Sequence, residues 1–171
     1  MFYNNTFMSV GVKKLVGRAE LVSFPELGGL SMAARVDTGA KVSAIAVTSV
    51  RQQGDVLEAV FFGDPAETVY RFETYKKSLV ASSTGQVERR FKVRLLVVLG
   101  GKKIRASFTL ADRSARTYPV LIGRNVLLGK FLVDVKEGTA FRRKPSLKKL
   151  QRPPTPHGNL KTLEEELEER V

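Results

Sequence analysis

Between Lys13 and Val135 the chain is cut into short apolar or alternating runs by glycine-bearing turns, and that rhythm constrains the fold more than any other feature. "KKLVGRAELVSF" stops at the turn "PELGG", and "LSMAARVD" follows, rich enough in small and apolar residues to be buried on both faces. "DVLEAVFF" ends at "GDP", and "KKSLVASS" and "QVERRFKVRLLVVL" flank "TG", the signature of a long hairpin with its tip near Gly85. After "GG" at 100–101, Ile104, Ala106, Phe108 and Leu110 alternate with polar or basic residues, as one inward face of a strand requires. "DRS" turns the chain again into "TYPVLI". Only "RNVLLGK" reads as a short helix, closed by Gly129. Many short strands at close spacing with glycine-rich turns predict an all-β barrel or sandwich.

The rhythm ends after Val135. Six basic residues lie between Arg142 and Arg152, three prolines follow, and "TLEEELEERV" closes the chain with Thr162 as N-cap and Glu165 three positions on. The expected organisation is a domain over residues 1–135 and, over 136–171, a basic, proline-containing flexible tail ending in a short acidic helix. The 171 residues suffice for one sizeable core plus such a tail.

Composition removes several chemistries. There is no Cys, which excludes disulfides, thiolate nucleophiles and Cys-based zinc sites. The single histidine, His157, sits in the proline-rich stretch, which leaves a His-ligated metal or a Ser-His-Asp triad little to work with. "IGRNVLLGKF" fails as a phosphate loop: five residues separate Gly123 from Gly129 where four are needed, and Phe131 stands where a Ser or Thr should bind magnesium. Neither a metal nor a cofactor is expected. No apolar run is long enough to span a membrane, and no signal peptide is evident, so the expected compartment is cytoplasmic. Net charge is +12, and residues 1–135 hold most of it, with 20 basic and 11 acidic side chains. The excess predicts attraction to something anionic, such as an acidic protein, the ribosome or nucleic acid.

One acid stands out against this background. In "ARVDTGAKVSAI" an apolar strand runs into Asp37-Thr38-Gly39 before an apolar run resumes. Asp-Thr-Gly is ordinary turn chemistry, with Asp capping the backbone and Gly supplying conformational freedom. A carboxylate at the end of a buried strand is nevertheless costly unless something pairs with it or uses it. A second landmark lies 86 residues on, where "YPVLIGRNVLLGKF" carries an apolar strand into Gly123, Arg124 and Asn125 and then a short apolar helix.

Taken together, "VDTGA" and "LIGRNVLL" resemble the two signature elements of retropepsin-like aspartic peptidases, the fold of retroviral proteases. The wider chain is still more similar to a bacterial branch of that clan, the RimK/LysX-associated peptidase-like proteins, often labelled ATP-dependent zinc proteases. "VGRAELVSFPELG", "ARVDTGAKVSAI", "SSTGQVERRFKV" and "FTLADRSARTYPVLIGRNVLLGKFLVD" carry that resemblance over roughly residues 15–135. The zinc and ATP of the label find no support in a chain with one stray histidine and a failed phosphate loop.

The resemblance implies a retropepsin-like closed β-barrel with a flap hairpin and one short helix after Gly-Arg-Asn. It implies an aspartic-type endopeptidase, a hydrolase in which Asp37 is catalytic and Thr38, Gly39 and Ala40 support the catalytic loop. Ile122, Gly123, Arg124 and Asn125 would pack beneath that loop. Aspartic peptidases activate water between two carboxylates, and this chain has one Asp-Thr-Gly, so a two-fold homodimer that pairs Asp37 with its mate is the expected assembly. Ser82, Ser83, Thr84 and Gly85 would form the flap tip over the substrate, with Lys41 and Arg89 beside the cleft. Retroviral enzymes place an Asp where Lys41 stands, and that Asp pairs with the Arg of Gly-Arg-Asn. Arg124 therefore needs another partner here, and Lys41 is free to bias the carboxylate pair toward its ionised form or to bind an acidic group. The expected substrate is a protein or peptide, with acidic, glutamate-rich tails suggested by the charge and by the ligases with which this branch is associated. The competing expectation is a catalytically silent basic β-barrel adaptor for an acidic protein, ribosome or nucleic acid.

Overall fold

A computed structural model describes residues 12–81, 87–113 and 115–138. Its elements, in chain order, are β1 (Lys14–Val16), β2 (Ala19–Phe24), β3 (Leu30–Val36), β4 (Ser43–Gln53), β5 (Val56–Phe61), β6 (Val69–Phe72) and β7 (Lys76–Ala81). They continue as β8 (Val87–Leu99), β9 (Lys102–Ala111), β10 (Val120–Ile122), the four-residue helix α1 (Arg124–Leu127) and β11 (Phe131–Val133). The domain is all-β, as the turn spacing predicts.

Strands β10, β3, β2, β8, β9 and β4 are hydrogen-bonded in that order, and β10 pairs again with β4, which closes a six-stranded barrel. Closure leaves none of these strands an open edge over its paired length. β10 is the keystone: it runs parallel to β3, with Val36 opposite Ile122, and antiparallel to β4, with Val120 opposite Ile45. The core follows from alternation. Val93, Leu95, Val97 and Leu99 of β8 and Ile104, Ala106 and Phe108 of β9 all point inward and are buried. Phe24 meets Phe108 edge to face, with ring centres 5.4 Å apart, a contact that adds to the ~1.5–3 kcal/mol expected for burying each such side chain.

β8 does two jobs along its length. Its C-terminal half is barrel wall, whereas Val87, Glu88 and Arg89 at its start are exposed and pair with β7 as the arms of a hairpin. The tip of that hairpin, including Ser82, Ser83, Thr84 and Gly85, lies outside the described residues. β4 likewise outgrows the barrel: after an irregularity between Val47 and Ser49 it continues as a ribbon with β5 and β6.

Several details differ from the sequence reading, and β4 is an 11-residue strand where that reading has only an apolar run after Asp-Thr-Gly. "KKLVGRAELVSF" is two strands, broken at Gly17, because the backbone of Glu137 and Gly138 packs so close that a Cβ at Gly17 would sit 2.3 Å from it. β6 and β11 are strands too short for alternation to reveal. The helix is one turn and ends at Leu127; Leu128 already leaves the helical conformation and Gly129 has φ +73°. Packing also continues past Val135: Arg18 N–H donates to the Glu137 carbonyl at 2.9 Å. The remainder of the tail lies outside the described residues.

Candidate active site

The end of β3 delivers Asp37 to a loop whose shape is set by its own carboxylate. Oδ1 accepts the N–H of Gly39 at 2.9 Å and of Ala40 at 3.2 Å. Both bonds fall on one oxygen, so Oδ2 is not committed to the loop. The Asp37 N–H donates to the Ile122 carbonyl at 2.9 Å, which ties the acid to the barrel keystone. Asp37 and Ala40 are half-buried, and Thr38 and Gly39 are exposed in the single chain.

The Gly-Arg-Asn segment lies directly under this loop. Arg124 N–H donates to the Ala40 carbonyl at 2.8 Å. Its guanidinium Nη1 donates to the carbonyls of Gly39 at 2.7 Å and Thr38 at 3.2 Å. Those carbonyls are the partners that Arg124 takes in the absence of an acid at position 41. The hydrogen bonds at Thr38 run through its carbonyl, while its side chain is exposed. At Gly123 a Cβ would lie 2.9 Å from the Ala40 carbonyl oxygen and the Val42 carbonyl carbon, so the approach of loop and helix demands glycine.

Asn125 and Ser43 complete the lock. Asn125 Oδ1 accepts both the Ser43 N–H (2.9 Å) and the Ser43 hydroxyl (2.8 Å), and its Nδ2 donates to the Ser107 carbonyl at 2.8 Å. The same Ser43 hydroxyl oxygen accepts the Gly123 N–H at 3.0 Å. Ser43 is completely buried. Sequence reasoning passed over it, because a lone Ser in an apolar run carries no motif signal.

Arg18, Arg35 and Arg113 lie near Asp37. Lys41 and Arg89 are exposed, and Arg89 stands opposite Leu79 on the β7–β8 hairpin. Arg90 is held by Glu88 at 2.7 Å. Half-buried Arg113 donates from Nε to the Tyr118 carbonyl at 3.3 Å. Burial pushes its pKa below the ordinary arginine value, Arg116 and Arg90 push the same way, and Asp37 opposes them. A cavity of about 550 Å³ adjoins Asp37 and Thr38 and is walled by Arg18, Arg35 and Tyr118. Arg18 and Arg35 were also passed over. Arg35, the one charge in "LSMAARV", was the readable signal.

Among the described residues no three His, Cys, Asp or Glu side chains cluster so as to hold a metal ion. No helix among the described residues is long and apolar enough to cross a membrane.

The chain is 34% identical over 130 residues to a probable alpha-L-glutamate ligase of Desulfotalea psychrophila, a match covering 71% of this chain and 28% of that protein. It is 30% identical over 133 residues to a protein of the same description from Shewanella halifaxensis, covering 73% and 29%. The chain thus matches under a third of the length of these relatives. A solved structure from Legionella pneumophila subsp. pneumophila, of a protein of unknown function, superposes with a TM-score of 0.58 at 20% identity, covering 77% of this chain and 100% of that one. That likeness concerns the fold alone. Residues 15–144 match the RimB-like family, described as retropepsin-like aspartic endopeptidase RimB, and the chain belongs to that family.

Proposed function

We propose that this protein is an aspartic endopeptidase that hydrolyses peptide bonds with water activated between two Asp37 carboxylates, one from each protomer of a two-fold dimer. The observation that carries the reading is the Asp37 loop. Its carboxylate is oriented by two backbone N–H groups through one oxygen, and the loop is braced by Arg124 and, through Ser43, by Asn125. A turn residue needs no such support from an element 86 positions away; a catalytic group held to tight geometry does.

In the reaction, one carboxylate takes a proton from water as the water oxygen attacks the carbonyl carbon. The other, protonated, donates to the carbonyl oxygen. Collapse of the resulting diol breaks the C–N bond, and a proton passes to the leaving nitrogen, giving an acid and an amine. Support for the dimer comes from β1 and β11, a parallel pair in which Leu15 stands opposite Leu132, with both side chains more than half exposed (56% and 54%). An apolar pair left in water beside a half-site suits a surface that a second copy covers.

For substrate, the reading favours acidic, glutamate-bearing polypeptides. The relatives are named as ligases of glutamate, and the cations flanking Asp37 complement such chains. The deciding test is Asp37→Asn, which keeps the loop acceptor and removes the acid. The folded variant is expected to cleave nothing that wild type cleaves, and retained cleavage would overturn the assignment. Wild type that binds glutamate-rich peptides without turnover would support the adaptor reading instead.

A further inference from the structure

A second basic groove begins four residues beyond Asp37, at Lys41, and runs away from the Asp37 loop across the outer face of the barrel. It encloses about 480 Å³ between Lys41 on the catalytic loop, Lys76 on β7, Lys92 and Arg94 on β8, and Arg105 on β9, with Tyr75 in the wall. No carboxylate lines it among the described residues. Arg105 is already neutralised by Glu26. Lys41, Lys76, Lys92 and Arg94 take no part in the ion pairs found among the described residues, which engage Arg51, Arg71, Arg90 and Arg105. Glu73 belongs to the adjoining hollow, with Arg71 and Arg94.

The register makes this arrangement unfavourable for the empty protein. Lys76 lies directly opposite Lys92 in the β7–β8 ladder, and like charges facing across a strand pair destabilise it. Arg94 lies two residues on from Lys92, on the same outward face, since the intervening Val93 is buried. Four uncompensated cations are thus gathered in one hollow, whereas Arg51 of β4 and Arg71 of β6 share the carboxylate of Glu58.

We propose that this groove is an exosite for a run of carboxylate side chains on an acidic polypeptide, engaging residues of the substrate remote from the bond that Asp37 addresses. The proposal rests on the peptidase reading for that connection to Asp37, and on the groove itself for its ligand. Peptide carboxylates suit it better than nucleic acid. Tyr75 is half-buried with its ring edge-on to Phe91, 5.7 Å between centres, and offers no open platform on which bases could stack.

The test uses the 171-residue chain carrying Asp37→Asn, so that binding is read without cleavage, and fluorescence anisotropy of a labelled hexaglutamate. At low salt, Lys76→Gln with Lys92→Gln should weaken binding by about five- to ten-fold, and hexaglutamine should bind neither protein. The charge-matched pair Lys13→Gln with Lys136→Gln, neither of which lines the groove, should change affinity less than two-fold on the same scale. The melting temperature of the Lys76/Lys92 variant should hold or rise as the repulsion is relieved, which separates lost binding from lost fold. Equal losses in the two double variants would overturn the proposal. So would a single-stranded RNA of equal charge that binds more tightly than hexaglutamate and loses affinity with Lys76/Lys92. Folded wild-type dimer that shows the groove-specific binding yet cleaves no glutamate-bearing polypeptide would end the peptidase reading and leave the groove standing as a binding site for acidic polypeptides.

Discussion

Ser43 and Gly123 show how much of the candidate site depends on single atoms. The Ser43 hydroxyl both accepts from Gly123 N–H and donates to Asn125 Oδ1, inside the barrel where water cannot replace it. Ser43→Ala leaves the Gly123 N–H unpaired, and the cost expected for a buried orphan donor is about 1–3 kcal/mol. Gly123→Ala acts by a different route, since the new Cβ meets the backbone of Ala40 and Val42 at 2.9 Å. It should destabilise by about 1–3 kcal/mol and also displace the Asp37 loop. Urea unfolding reports the first effect for both variants. Cleavage per folded molecule reports the second and should fall further for Gly123→Ala than for Ser43→Ala. Equal activity per folded molecule in wild type and Gly123→Ala would show that the loop does not depend on this packing.

At the scale of elements, the turn after β2 is fastened to the barrel wall by one carboxylate. Glu26 accepts the Leu96 N–H of β8 at 3.1 Å and pairs with Arg105 of β9. The hydrogen bond from Arg105 holds its carboxyl below the usual glutamate range, with burial opposing and the Leu96 N–H assisting. A folded-state value below the unfolded one means that the stabilisation is present above the unfolded value of about 4.3 and is lost as pH falls through the folded value. Because the pair is well exposed, its worth is under about 1 kcal/mol. Glu26→Gln should therefore be slightly less stable than wild type at pH 7, by a margin that shrinks at pH 3. A stability difference that is the same at both pH values would assign the role of Glu26 to packing instead.

For the whole molecule, the proposed dimer requires each chain to supply half of an aspartic site, and the fold leaves an apolar strand pair exposed. If that pair is the dimer contact, Leu132→Glu should leave the barrel folded, since the side chain is 54% exposed, while abolishing self-association. Cleavage by the variant should vanish at concentrations where wild type is dimeric, and wild-type activity should rise with the square of concentration below the dissociation constant. Sedimentation alongside activity decides it. A monomeric Leu132→Glu protein with full activity would count against a shared site.

The sequence alone determined the all-β class, the barrel strands other than β4 and the two landmarks at Asp37 and Gly123, because these depend on local periodicity and short motifs. Alternation at Ile104, Ala106 and Phe108 was legible since each strand must bury one face wherever it packs. Other features were decided only in three dimensions. β1 and β11 are three residues each, too short for a period, and exist because they pair across more than a hundred positions. Ser43 became a bridge only when β10 and α1 were laid against β4, and Arg124 found the carbonyls of Thr38 and Gly39 where the motif suggested a missing acid. The facing of Lys76 and Lys92 is a matter of register across a hairpin, which residue spacing in one strand does not reveal. Local patterns report which side of a strand faces the core; which residues then meet is settled by closure of the barrel.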